Sequence, residues 1–271
     1  MDVRLLTAAD SDAVMLLSRE AGWNQTAEDW LRMFALSSDG CFGIDCDERL
    51  VATATTYCYG DELAWIGMVL TAIDYRGRGL ARATMQAALD FARARQVAWI
   101  KLDATDMGRP LYEKLGFVAE YAVERWLRPA NPAVGAPVDA CCPNLELDRE
   151  AFGADRSALL AALAPIESAS IGADAFAMGR SGTKAAYFGP CVSRSAEHAA
   201  KLLDWFLARH AAENIFWDIV EPNPDARKLA EERGFAPVRR LLRMTFPGRP
   251  SPPAFVENPN LVYALGGFEF G

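Results

Sequence analysis

The stretch from Trp65 to Ala92, WIGMVLTAIDYRGRGLARATMQAALDFA, joins three local signals in a fixed order. An apolar, strand-like run from Ala64 to Thr71 passes through a polar turn into Arg76-Gly77-Arg78-Gly79-Leu80-Ala81, and an Ala-rich helical pattern follows. A strand, a glycine turn and a helix N-terminus converge backbone N–H groups on one point, and the helix dipole adds to their pull on an anion. Gly77 and Gly79 keep side chains away from that point. The segment predicts a pyrophosphate cradle, and hence a nucleotide-containing cofactor.

Two patterns compete for this loop. Gly77-Arg78-Gly79 opens a G-x-G-x-x-G dinucleotide fingerprint, with Asp103 closing a second apolar run roughly 20 residues later. Arg82, however, stands where that fingerprint needs its third glycine. The pattern [RQ]-x-x-G-x-[GA] is met in full by Arg76, Gly79 and Ala81. A plain glycine turn before a surface helix is the third possibility.

Further on, the apolar strand Val97 to Leu102 leads through Asp103-Ala104-Thr105-Asp106 into Arg109-Pro110-Leu111-Tyr112-Glu113-Lys114-Leu115-Gly116-Phe117. Pro110 suits the first turn of a short helix, Gly116 its C-terminal stop, and Phe117 a return to the core. Arg76 to Ala81 and the "LYEKLGF" segment together resemble the GCN5-related N-acetyltransferases, in which such a loop holds acyl-CoA and such a helix carries a catalytic tyrosine.

The chain also resembles itself. A shift of 118 positions lays Gly116-Phe117 on Gly234-Phe235, Arg109 on Arg227, Trp99 on Trp217, Arg76 on Arg194 and Ala81 on Ala199. A common offset across loop, strand and helix argues for two copies of one unit. In the second copy Ser195 and Glu197 replace Gly77 and Gly79, and Ala230 replaces Tyr112. The expected organisation is a first copy over residues 1–128, a Pro/Ala-rich linker over 129–147, and a degenerate copy over 148–271. The family resemblance implies an α/β (α+β) fold of two tandem acetyltransferase-like domains, each a mixed, mostly antiparallel sheet, splayed at its middle and flanked by helices.

Composition bounds the partners. With 51% hydrophobic and 24% charged residues over 271 positions, the chain reads as globular and large enough for two cores. No apolar run approaches the length of a membrane span. The first residues lack a basic segment followed by an apolar core, and the six cysteines have no C-x-x-C spacing, so a cytoplasmic chain with reduced thiols is expected. A net charge of −8 disfavours nucleic acid and suits a cationic amine. The only histidines, His198 and His210, do not share a helix face, so no metal site is expected.

The resemblance implies acetyl-CoA as the donor. Met68, Val69, Leu70 and Thr71 would bind its pantetheine arm through backbone groups, with Val69 or Leu70 N–H polarising the thioester carbonyl. Arg76, Gly77, Arg78, Gly79, Leu80 and Ala81 would hold the pyrophosphate, and Asp106 would accept a hydrogen bond from the arm. Ile73 and Asp106 stand where many members carry Pro and Asn. Tyr112 would stabilise or protonate the departing thiolate, although a tyrosine near pKa 10 transfers a proton to a thiolate near 8.5 uphill by about 2 kcal/mol. Asp61, Glu62, Asp103 or water would serve as base. The acceptor, a small-molecule primary amine attacking directly in a ternary complex, would meet Trp23, Asn24 and Trp30. A non-catalytic acyl-CoA sensor is the alternative, and a monomer or homodimer is expected.

Overall fold

Thr7 and Thr26 each exchange hydrogen bonds with the aspartate three residues on, Asp10 and Asp29, so the chain enters its first helices through capping boxes. The computed structural model describes residues 2–132, 138 and 142–271. The first half runs β1 (Arg4–Leu5), α1 (Ser11–Glu20), α2 (Ala27–Leu36), β2 (Cys41–Cys46), β3 (Arg49–Tyr59), β4 (Leu63–Thr71), α3 (Leu80–Ala94), β5 (Trp99–Ala104), α4 (Arg109–Leu115) and β6 (Val118–Arg128). The second half runs α5 (Leu145–Phe152), α6 (Ser157–Leu163), β7 (Ser168–Ile171), β8 (Ala175–Arg180), β9 (Ala186–Ser193), α7 (Ala196–Arg209), β10 (Ile215–Val220), α8 (Pro224–Glu232), β11 (Ala236–Pro247) and β12 (Val262–Ala264). Part of the expected linker, 133–137 and 139–141, lies outside the described residues. The five cysteines among the described residues are all free thiols.

Each half is a mixed, splayed sheet, and the two merge into one sheet of twelve strands ordered β1-β2-β3-β4-β5-β11-β6-β10-β9-β8-β7, with β12 against β9. Only β4/β5 and β9/β10 pair in parallel among the described strands. That antiparallel character rules out the doubly wound parallel sheet that the dinucleotide fingerprint requires.

The halves exchange strands. β11 lies between β5 and β6 of the first half, and β6 lies between β11 and β10 of the second. Two buried ion pairs fix the registers. Arg125 on β6 stands directly opposite Asp218 on β10 and donates to both its carboxylate oxygens, at 2.8 and 2.7 Å. Arg243 on β11 does the same with Asp103 on β5, at 3.0 Å twice. The arginines are 118 positions apart, so the repeat itself supplies both fasteners.

The apolar faces follow the helical and strand periods. Leu89 of α3, Ile100 of β5 and Phe117 share one cluster, while Phe206 of α7, Trp217 of β10 and Phe235 share its counterpart. A third cluster joins the halves, bringing Trp30 of α2 together with Phe152, Leu160 and Phe270. The terminal segment pairs over Val262–Ala264 and then turns into the first half. There Trp65 Nε1 donates to the Phe268 carbonyl at 2.9 Å and Tyr59 OH to the Phe270 carbonyl at 2.6 Å.

Because both halves are completed by a strand of the other, cutting the connection should not separate them. A protease site inserted after Pro132 and cleaved to completion is expected to leave one particle of unchanged elution volume in gel filtration. Two smaller particles under native conditions would contradict the exchange.

Candidate functional site

β4 carries the first element of the site. Gly67 pairs with Thr55 and Leu70 with Thr53, so two residues, Met68 and Val69, stand where Ala54 alone is available. This bulge puts Met68 at φ +50, a conformation uncommon for any residue but glycine. The Thr53 hydroxyl holds it by donating to the Met68 carbonyl at 2.7 Å. Pairing between β4 and β5 ends at Trp65 opposite Lys101. Beyond that point β4's backbone edge has no strand partner and faces a cleft.

The glycine loop forms one end of this cleft. Gly77 and Gly79 have φ of +75 and +82, and Gly79 is the residue from which α3 starts. It has no side chain to cap the helix, so the first α3 N–H groups stay unsatisfied by protein. A Cβ built on either glycine would meet nothing within 4 Å. The backbone conformation demands glycine here, and the space above is free for a ligand. At the same cleft the buried Thr71 hydroxyl lacks a hydrogen-bond partner among the described residues. These features fit an anionic ligand on the loop and an extended polar arm along β4.

α4 brings in Tyr112. Its ring is buried and lies close to Gly108 one turn earlier, where a Cβ would stand 2.8 Å from the ring edge. Burial pushes the phenol well above its ordinary value, so it remains a proton donor throughout the neutral and mildly alkaline range. Two clefts meet at this residue. A loop cleft is bordered by Val69, Leu70, Thr71, Arg76, Gly77, Gly79, Leu80, Ala81 and Tyr112. An inner cleft is bordered by Trp23, Asn24, Gln25, Met68, Val69, Asp103 and Tyr112, together with second-half residues that include Lys184, Arg239 and Glu269. Trp23, Val69, Thr105, Tyr112 and Arg239 border both.

A model of the acetyltransferase (GNAT) family matches residues 11–117, and a model of the acetyltransferase (GNAT) domain matches residues 145–255. The chain belongs to the GCN5-related N-acetyltransferase family. It holds two such domains in tandem, and the fold supports acyl transfer as its chemistry. Solved structures show the same architecture. A Pyrococcus horikoshii protein assigned as an acetyltransferase is 24% identical with a TM-score of 0.84, over 100% of this chain and 95% of that one. A GCN5-related N-acetyltransferase from Sphaerobacter thermophilus is 15% identical with a TM-score of 0.64, over 92% and 96%. A tandem GNAT protein from the clavulanic acid biosynthesis pathway is 15% identical with a TM-score of 0.61, over 92% and 99%. A search of the curated proteins gave no match.

Within this tandem acetyltransferase the structure moves several expected residues away from the clefts. Trp30 is fully buried, its Nε1 donating to Ser18 at 2.9 Å, and serves the core. Glu62 lies at the far end of β4 in an ion pair with Arg149 and borders neither cleft. Asp61, beside it, is equally remote. Asp103 borders the inner cleft, yet Arg243 occupies both its oxygens, so it is no free base. Asp106 is exposed and borders neither cleft, and Arg78 turns back on its own loop to the Asp74 carbonyl at 2.9 Å. Met68 borders the inner cleft rather than the loop cleft. Asn24 is a clasp: its side chain accepts from Lys184 N and Ala185 N and donates to the Ala185 carbonyl, binding the Trp23–Gln25 loop to the second half.

Other contributors escaped the sequence reading. Gly108 makes room for Tyr112, and a glycine one turn before an aromatic on a short helix was the available signal. Lys184, Arg239, Phe268 and Glu269 come from the second half, and nothing local to them marks their destination.

The second half closes its own cleft. β9 and β10 pair in parallel only over Ala186–Phe188 and Ile215–Trp217, then part as β4 and β5 do. Into that gap β12 inserts, pairing with Val192 and Cys191, while Leu265 N donates to the Asp218 carbonyl at 3.1 Å and Trp217 Nε1 to the Tyr263 carbonyl at 2.7 Å. Structural equivalence here corrects the sequence offset. Ser195, not Glu197, takes the place of Gly79 before the helix, because the starts of α3 and α7, and of β5 and β10, are 116 positions apart, whereas the offset of 118 holds from Gly116 and Gly234 through β6 and β11. The Ser195 hydroxyl accepts from His198 N at 3.2 Å and so uses up a helix N–H that Gly79 leaves free.

The ion-pair role of Asp103 is separable from a catalytic one. Asp103→Ala should leave Arg243 buried without a counter-ion and cost on the order of 3–5 kcal/mol of stability, read as a fall in Tm of roughly 10 °C. An unchanged Tm with lost turnover would restore Asp103 as a base.

Proposed function

We propose that the first half transfers an acetyl group from acetyl-CoA to the primary amine of a small molecule, by direct attack in a ternary complex. One observation carries this reading: Val69 and Tyr112 stand at the junction of two clefts, one ending on the glycine loop and one closed by the second half. When bound, acetyl-CoA supplies an activated acyl thioester. The residues present suit it, since the uncapped start of α3, Arg76 and the open space over Gly77 and Gly79 match a pyrophosphate, and the free edge of β4 with the Thr71 hydroxyl matches an amide-bearing arm.

The chain's own groups then divide the work. An N–H of the bulged strand at Val69 or Leu70 polarises the carbonyl under attack, a donor fixed in advance of the reaction. Tyr112 OH donates to the departing sulfur. Its burial widens the gap to a thiol near 8.5, so it stabilises the thiolate by hydrogen bonding more than by complete proton transfer. No cysteine among the described residues borders either cleft, which favours direct transfer over an acyl-enzyme. With Asp103 and Glu269 each held by an arginine and Glu62 remote, water is the group left to take the amine's proton.

Tyr112→Phe is expected to bind acetyl-CoA within about twofold of wild type while thiol release, assayed with the best amine from a screen, falls at least about tenfold. Because the phenol's proton is lost only above its raised pKa, the wild-type rate should show no decline between pH 8 and 10. An unchanged rate in the variant would remove Tyr112 from the mechanism.

A further inference from the structure

Five charged side chains border the inner cleft: Asp103, Arg125, Lys184, Arg239 and Glu269. Three are already matched inside the protein, Asp103 by Arg243, Arg125 by Asp218 and Glu269 by Arg180 at 2.8 Å. Lys184 Nζ donates to the Gly22 carbonyl, a neutral partner, and Arg239 has no hydrogen-bonding or ionic partner among the described residues. The cleft therefore holds two unmatched cations and no unmatched anion.

Arg239 also stands directly opposite Arg125 in the β11–β6 register. Like charges across a strand pair destabilise it; Asp218 is hydrogen-bonded to Arg125 and reaches Arg239 only through its charge, without direct contact. Burial and the neighbouring Arg125 both lower the Arg239 pKa. Lys184 and Arg239 both remain solvent-exposed, so water screens them in the free protein and an incoming anion can reach them. The acidic exterior, net −8, favours cations at a distance. That diffuse field is screened over about 8 Å at physiological salt, whereas Lys184 and Arg239 act at contact. Inside the cleft the two local cations prevail.

We propose that the acceptor is an amine that also carries an anionic group, a carboxylate or a phosphate, and that Lys184 and Arg239 hold that group. The inference rests on the acyl-transfer reading above. Lys184 borders the inner cleft only, while Arg239 reaches the junction as well. An anion held between them directs the amine toward Val69 and Tyr112. It adds an anionic group to the cationic amine that the net charge suits.

The test is thiol release from acetyl-CoA with matched acceptors: β-alanine, 4-aminobutyrate, L-glutamate and 2-aminoethyl phosphate against ethylamine, 1,4-diaminobutane and ethanolamine. Succinate, glutarate and inorganic phosphate serve as non-reacting competitors, and acetyl-CoA affinity is measured in parallel by calorimetry. The anionic amines should exceed their counterparts in kcat/KM by at least tenfold, with the carboxylate and phosphate arms naming the anion. Lys184→Met should raise KM for the best of them about tenfold at constant acetyl-CoA affinity, and Lys184→Arg should restore it. Arg239→Gln should do the same. Equal or better use of the diamine, or no effect of competitor anions, would overturn the proposal while intact acetyl-CoA binding leaves acyl transfer standing. Loss of acetyl-CoA affinity in Arg239→Gln with unchanged acceptor preference would assign Arg239 to the donor and overturn it too. Failure of wild type to bind acetyl-CoA would remove both readings together.

Discussion

The pairing of Arg125 with Asp218, and of Arg243 with Asp103, holds the rest of the structure in place. Each is buried, bidentate and directly across a strand boundary between the halves. A hydrophobic pair would stabilise those positions about as well, since the desolvation of buried ions cancels much of their attraction. What charge adds is register: a one-residue slip of β6 or β11 would leave a guanidinium and a carboxylate buried and unpaired. The exchanged strands in turn set the width of the inner cleft, because Arg239 and Leu241 on β11 form its wall. The second copy thus completes the site of the first, beyond bracing it.

The asymmetry of the tandem has a simple physical basis. Both halves part their central parallel strands, and a parted pair exposes backbone groups that need partners. In the first half those groups face the cleft without a strand partner among the described residues. In the second, β12 supplies them from the same chain, and Ser195 caps the helix that would otherwise attract an anion. The residues after β12 then run to the first half and deliver Phe268 and Glu269 to its inner cleft, packed so closely on Gly67 that a Cβ there would stand 2.8 Å from Glu269 Cα. One segment closes the second cleft and furnishes the first.

Much of this was legible in the sequence, and the boundary of legibility is instructive. The conformation of the glycine loop, the short helix that carries Tyr112 and the strand before the loop were readable because their signals are local: glycines demand positive φ, Pro110 and Gly116 bound a helix, and a run of apolar residues marks a strand. The repeat was readable because Gly234-Phe235 copies a helix stop. The exchange of β6 and β11 was not, since pairing between residues more than a hundred positions apart leaves no local trace. The same blindness explains Asp103, whose neutralising arginine lies 140 positions away, and Trp30, whose helix period fits core and cleft equally. The offset of 118 misplaced Ser195 by two residues because an ungapped shift cannot register a length change between strand and helix. Net charge sums over the exterior and is silent about which few charges face a cleft, so Lys184 and Arg239 were not legible from it.

The central claim is that this tandem protein has one working donor cleft, in its first half, with the second closed by its own chain. Calorimetric titration of the intact protein with acetyl-CoA, beside a titration with NADH, tests it most directly. The account predicts saturable acetyl-CoA binding at one site per chain and no heat from NADH. Two sites per chain would mean that β12 and Ser195 do not close the second cleft, and no binding would show that the loop of the first half is not a cradle for this donor.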